Sequence, residues 1–339
     1  MKMKKLGELE FLNMIRPYVK APGRLNPPFG DDAAVFIPNK DEDSRRMAMT
    51  TDMLVQNTHF SLHYTPPFDL GIKSFEVNAS DLAAMGAWPA AALISLAVPP
   101  DLDVEFLREF YKGFSSSMRK YDCVLAGGDT VRGKSLVISV TLLGTYVPKE
   151  RTLMRTGARP GDWIYVTGTL GDSAMGLYLL KNHPEALTSR KRHPCVKRHL
   201  TPEARVREGN ILSGFAETGA VIDISDGLYN ELNHLANMNG LSMNIGLASL
   251  PCSRHLCFDC YKYKQDMLEM MLFGGEDYEL LFTSSMNPTI MSMLVIEEKI
   301  SVKISAIGTV TEGKGVHVFR NLSEKKELVM KNKTFQHFV

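Results

Sequence analysis

The chain has 339 residues, 44% hydrophobic and 23% charged, enough for two domains with ordinary cores and too apolar for a disordered polymer. Lys plus Arg number 39 against 38 Asp plus Glu, and the net charge of +1 carries no electrostatic footprint for nucleic acid. Five cysteines are an odd number for a disulfide framework and fit a reducing cytoplasm. Glu8 and Glu10 interrupt any secretory signal, and no charge-free run has membrane-spanning length.

In chain order, residues 8–18 suggest a short amphipathic helix, and 32–37 and 47–51 read as strands. Residues 70–85 read as a helix, broken by Trp88-Pro89; 90–98 is a buried strand that Pro99-Pro100 ends. A helix is expected at 104–121, then strands at 123–126 and 136–143 on either side of a glycine-rich turn. The Gly/Pro-punctuated passage at 148–162 is the better domain boundary, dividing the chain into 1–148 and 149–339. Beyond it come a strand at 163–167, a glycine joint at 168–171 and a helix at 173–180. A helix at 202–217, a strand at 220–224, a helix at 229–239 and a strand at 278–283 follow. Strands and helices alternate in both halves, giving an α/β (α+β) chain.

Seven aspartates sit in short Gly/Ser/Thr-rich joints beside apolar runs: Asp31, Asp32, Asp52, Asp81, Asp129, Asp223 and Asp226. One such aspartate reads equally well as a helix cap or a turn residue. Seven embedded among Ala, Val, Ile, Leu and Gly predict partly buried carboxylates, which need a cation or a metal. Their segments contain no Lys or Arg, so a metal is the expected neutraliser.

Three sharper-looking signals carry less. Gly128 to Ser135 satisfies the P-loop expression, but the residues after it read as a strand, whereas a P-loop must open a helix. Cys252, Cys257 and Cys260 have iron–sulfur ligand spacing without a fourth cysteine downstream, and zinc using His255 is geometrically open. Unlinked thiols in a variable surface segment are the plainer reading. The basic run from Arg190 to His199 reads as a solvated linker.

Read in order, GDDAAVF, TTDMLVQNTHF, NASDLAAMGAWPAA, LAGGDTVRG, GARPGDWIYVTGTLGDSAMGL, VIDISDGL and FGGEDYELLF resemble the thiamine-monophosphate kinase family. Its superfamily of ATP-binding proteins includes aminoimidazole ribonucleotide synthetase, selenophosphate synthetase and HypE. The resemblance implies an N-terminal mixed sheet with helices that pairs across a homodimer, and a C-terminal α/β domain completing the nucleotide and substrate site. It implies magnesium-dependent transfer of the γ-phosphoryl group of ATP to thiamine phosphate in the cytoplasm, with no nucleic acid or membrane partner.

By matching motif, the resemblance assigns several magnesium ions to Asp32, Thr51, Asp52, Asp81, Asp129, Asp223 and Asp226. It assigns ATP to Tyr111, Gly128, Asp129, Arg155 and Ser225, and thiamine phosphate to His59, Glu276 and Phe335. On sequence alone Arg155 is equally a surface ion pair, Tyr111 equally core, and a lone His more often structural. No general base is expected, because a phosphate monoester with a second pKa of about 6 is already ionised at neutral pH. Magnesium prefers oxygen donors, and phosphoryl transfer needs chiefly positioning and charge neutralisation. Ala33 stands where the family often has Cys, Lys134 creates the accidental P-loop match, and residues 252–266 are unexplained by the motifs. Alternatives are another superfamily enzyme, such as an aminoimidazole ribonucleotide synthetase, or a non-catalytic metal protein using Cys252, Cys257 and Cys260.

Overall fold

Two mixed sheets, each joined to its own helices, carry the chain. The computed structural model describes residues 31–36, 46–147, 150–183, 193–298, 300–323 and 326–328. The helix expected at 8–18 lies outside them, as does Phe335. The first part runs β1 (Ala34–Phe36), β2 (Met47–Val55), α1 (Pro67–Ala84), β3 (Trp88–Val98), α2 (Val104–Lys120), β4 (Val124–Arg132) and β5 (Val137–Thr145). Its sheet has the order β1-β2-β5-β3-β4, antiparallel except for the β3–β4 pair that α2 connects.

The second part runs β6 (Trp163–Thr167), α3 (Asp172–Asn182), α4 (Pro194–Leu200), α5 (Val206–Ser213), β7 (Thr218–Asp223) and α6 (Leu228–Asn239). It continues through β8 (Ser242–Gly246), α7 (Arg254–Tyr263), α8 (Met267–Phe273), β9 (Leu280–Ser284), α9 (Pro288–Glu297), β10 (Ile304–Thr311), β11 (Gly315–Phe319) and β12 (Glu327–Leu328). The sheet order is β12-β11-β8-β10-β6-β9-β7.

Helix α1 is central. Pro67 presets its first turn, and most of its length is buried, with Leu70, Phe75, Leu82 and Ala83 fully enclosed. A β-carbon on Gly71 would lie 2.0 Å from the Phe110 carbonyl oxygen, so glycine is what lets α1 and α2 cross so closely. One face of the first sheet packs on these helices through Ala48, Ile94, Leu96, Ile138, Val140 and Leu142. The opposite face is bare, with Met53 56% exposed, and so is all of β4, with Val124 60% exposed. Among the described residues no helix is long and apolar enough to cross a membrane.

Two expectations need correction. The residues from 193 to 200 are not a solvated linker: Pro194–Leu200 is a helix, capped by His193. Its Arg198 pairs with the buried Glu279, and His199 is itself buried, so both side chains face the inside of the domain. The glycine-rich segment after Ala126 is no turn either, because β4 runs through it to Arg132. A β-carbon on Gly128 would come within 1.8 Å of the Ile94 carbonyl oxygen, so glycine permits this tight strand pairing. Strand and turn occupy the whole P-loop-like stretch, which opens no helix.

Candidate active site

The alternation of β2 turns Thr50 and Asp52 toward α1, where Asn78 and Asp81 stand one turn apart. The Asp52 amide donates to Asn78 Oδ1 (2.9 Å), and Thr50 Oγ1 donates to Asp81 Oδ2 (2.5 Å). From the second sheet, β7 ends at Asp223, whose Oδ2 accepts from Ser80 Oγ on α1 (2.6 Å). Asp32, just before β1, takes the Arg155 guanidinium as a fork, Nε to Oδ2 at 3.0 Å and the second nitrogen to Oδ1 at 2.6 Å. Asp31 accepts the Arg155 amide (3.2 Å). Carboxylate oxygens of Asp32, Asp81 and Asp223 lie within 4.8 Å of one another.

So many acids in one dry place resist ionisation. Burial, then the charge of Asp32, pushes Asp223 up to about 8. Burial, then Asp226 and Asp32, pushes Asp52 up to about 6. Asp81 is held well above the usual range by burial and by Asp52, Asp223 and Asp32. Burial and Asp32 raise Asp31 to about 6. One guanidinium cannot neutralise this set. The donors are oxygens from carboxylates and hydroxyls, the chemistry of a hard divalent cation such as magnesium, so the residues present fit that ion.

Ser225 and Asp226 follow Asp223 directly, and the Ser225 carbonyl accepts the Glu276 amide (2.7 Å), tying the GGED joint to this loop. Glu276 sits in a second group: Lys73 Nζ lies 2.6 Å from its Oε1 and His199 Nδ1 3.2 Å from its Oε2. Burial is the largest single influence on the Glu276 carboxyl and would raise it, but Lys73, by charge and hydrogen bond, together with His199 and His59 holds the group below its usual value. Burial, then Lys73, pushes His199 down to about 3, so its imidazole is neutral. His59 is among the groups that lower the Glu276 carboxyl, and its Nδ1 accepts the Val55 amide (2.9 Å).

Tyr111, Gly128 and Asp129 line a separate groove of about 270 Å³ with Ile94, Leu125, Gly127 and Thr130. Asp129 is exposed on β4 and is not brought to the carboxylate cluster. The register aligns Asp52 with Val140, Ile94 and Gly128, so three strand spacings, about 14 Å, separate the two rims. Thr51 points away from the acids: its hydroxyl donates to the Val140 carbonyl, while Thr50 makes the contact with Asp81.

Sequence reasoning missed Glu231, buried on α6, whose carboxyl accepts the Asp226 amide (3.1 Å) and is raised by burial and by Asp223 and Asp226. It also missed Lys73, whose signal was a single lysine in a helix that carries no other basic residue. Asn78 and Ser80 went unread as partners of the acids, although they flank Asp81 within one turn. The three cysteines do not form a joint cluster among the described residues; Cys252 and Cys257 meet at 3.3 Å, and Cys260 turns to Met270.

Comparison with known proteins matches the AIR synthase related protein N-terminal domain over residues 30–146 and its C-terminal domain over 159–321. A thiamine-monophosphate kinase of Buchnera aphidicola subsp. Acyrthosiphon pisum is 40% identical, covering 91% of each chain. That of Bacillus subtilis is 33% identical, covering 98% of this chain and 100% of its own. The solved structure of AaThiL complexed with AMPPCP and TMP superposes with a TM-score of 0.82 at 34% identity, covering 99% of both chains. With this likeness running the length of both sheets, the chain belongs to the thiamine-monophosphate kinase family.

Proposed function

We propose that this chain transfers the γ-phosphoryl group of ATP directly to thiamine phosphate, yielding thiamine diphosphate and ADP. The observation that carries the reading is the carboxylate cluster: Asp32, Asp81 and Asp223 converge from both halves of the chain beside Arg155. A relative of the same fold was solved with AMPPCP, an ATP analogue, and with TMP, a donor and acceptor pair that suits such a cluster.

Asp32, Asp52, Asp81, Asp223 and Asp226 are the residues to hold magnesium ions; Thr51, expected to assist, turns its hydroxyl away from them. When bound, magnesium supplies charge neutralisation between two phosphate anions. Arg155 offers a planar fork for a polyphosphate oxygen, and Ser225 is the second residue to bind ATP phosphate. Tyr111 and Gly128 shape a groove for the nucleotide, with Asp129 at its rim. His59 and Glu276 face the acceptor, and the ionised Glu276 suits a cationic thiazolium ring. The acceptor phosphate is its own nucleophile, so no side chain takes a proton.

The separation of Asp129 from the other acids supports a homodimer. The bare sheet face with Met53 and Leu93, and exposed β4 with Val124 and Val131, would be covered by a second copy. A partner's β4 would then carry a second Asp129 toward the cluster. Within this reading residues 1–148 bind ATP and magnesium and dimerise, residues 149–339 complete the site, and the reaction runs in the cytoplasm.

The test is direct. Purified protein incubated with ATP, magnesium and thiamine phosphate should form thiamine diphosphate and ADP in equal amounts. Absence of product, with turnover of formylglycinamidine ribonucleotide instead, would overturn the substrate assignment. A monomer by sedimentation at micromolar concentration would overturn the dimer.

A further inference from the structure

Two segments left unexplained by the kinase reading meet in space. The basic stretch ending at His199 and the cysteine-bearing stretch from Cys252 to Cys260 pack together at the start of α4 and the middle of α7. There, His193 Nε2 lies 3.2 Å from Asp259 Oδ2, and Cys195 Sγ lies 3.8 Å from the same oxygen. The three donor atoms fall within 4.8 Å of one another. We propose that His193, Cys195 and Asp259 form a second cation site for a borderline metal of the zinc class, separate from the hard-cation aspartate cluster.

The donor spacing supports this. Bonds of about 2.0–2.3 Å at tetrahedral angles place neighbouring ligand atoms roughly 3.3–3.7 Å apart. The two measured edges, 3.2 and 3.8 Å, lie close to that range without rearrangement. Thiolate, imidazole and carboxylate together select zinc-like ions over magnesium, which prefers oxygen alone. Three protein ligands leave a fourth position for water.

The surroundings supply the charge a cation needs. Cys195 Sγ is also 3.5 Å from Asp172 Oδ1, and Asp172 and Asp259 are both buried. Among the described residues neither pairs with a Lys or Arg; Asp172 is held by the Thr169 and Ser253 hydroxyls, and Asp259 by His193 and Cys195. Two buried carboxylates around one thiol favour a divalent ion. The part-exposed His193 side chain leaves a path from solvent. On loading, Cys195 releases its proton to buffer and coordinates as thiolate. The proton on His193 moves to Nδ1, and the long contact from the Cys195 amide to that atom (3.3 Å) is given up. The metal thus exchanges a weak helix cap for a clamp joining α4 to α7.

The experiment uses the metal-free full chain in saturating Mg²⁺, which occupies the aspartate cluster, titrated with Co²⁺. One equivalent should produce the intense near-ultraviolet absorption of a thiolate–cobalt bond, and Zn²⁺ should bleach it. Cys195→Ser should abolish the band, and Asp259→Asn should weaken Co²⁺ binding at least about tenfold. The double variant Cys252→Ser/Cys257→Ser should retain the band. Absence of the band in the unmodified chain, its persistence in Cys195→Ser, or its loss in the double variant would each overturn the proposal. Should Cys195→Ser fail to fold, His193→Ala, at a part-exposed position, must weaken Co²⁺ binding by a similar factor, and unchanged binding there would overturn it too.

Discussion

Ser80 Oγ and Asp223 Oδ2 are 2.6 Å apart, a buried hydrogen bond that links α1 of the first part to the end of β7 in the second. It fixes the rotamer of an acid in the candidate metal site from across the domain boundary. Ser80→Ala leaves that oxygen with one partner fewer, at a stability cost of about 1–3 kcal/mol. The apparent affinity for Mg²⁺ should fall by roughly tenfold, as for other groups that orient a ligand. Urea unfolding and Mg²⁺-dependent turnover check both; a variant matching the unmodified chain in each would show that the bond positions nothing.

Arg155 and Asp32 pair through two nitrogens, so charge and shape can be separated by substitution. Arg155→Lys keeps the cation and loses the fork. The expected result is a fall in kcat/KM for ATP of about 10²-fold with unfolding free energy changed by less than about 1 kcal/mol. Steady-state kinetics with ATP as the varied substrate would show it. Turnover within twofold of the original would mean the guanidinium serves Asp32 alone.

The crowded acids should make the metal-free chain sensitive to alkali. Asp52 at about 6 and Asp223 at about 8 lie above the ordinary carboxylate range, so the folded chain holds these protons more tightly than the unfolded one. Their contribution to stability is complete below the unfolded value of 3.8 and is lost as pH rises through 6 and then 8. Thermal unfolding with chelator present should therefore show a lower Tm at pH 8 than at pH 6. Added Mg²⁺ should raise Tm more at pH 8, where the carboxylates are free of protons. A metal-free Tm that is flat or rising over this interval would contradict the described crowding.

Lys73 and Glu276 form a close pair in which the lysine side chain is 1% exposed. Removing one member strands the other, and breaking such a pair costs about 3–5 kcal/mol. Lys73→Met should lose stability on that scale. Adding Glu276→Gln to it should recover part of the loss, because neither charge then remains. Chemical denaturation of the two single variants and the double one closes the cycle; additive effects would show that the groups act independently. Glu276→Gln alone should raise KM for thiamine phosphate more than it changes KM for ATP.

Periodicity made most of the scaffold legible. Helix α1 was expected at residues 70–85 and spans Pro67–Ala84, and β7 was expected at 220–224 and spans Thr218–Asp223. In both, runs of apolar residues at a regular spacing report local geometry directly. The burial of the aspartates other than Asp129 was legible as well, because a carboxylate among Ala, Val and Gly has no solvated neighbourhood to belong to; Asp129 is exposed on β4.

Partners were not legible, since partnership is a property of distance in space. Residues 193–200 looked like a linker because their cations had no local acids. Glu279, some 80 positions later in the chain, supplies one. Lys73 and Glu231 went unread because Glu276 and Asp226 stand beside them only in the folded chain. Asp129 came from the same kind of short joint as Asp81, yet strand order put Asp129 on a bare edge, while Asp81 lies on α1, where Thr50 of β2 donates to it. The sequence by itself determined where the elements lie and that its acids stand among apolar neighbours. Only the tertiary structure decided which acids meet, because desolvation and Coulomb forces act through the few ångströms that folding closes, whatever the separation along the chain.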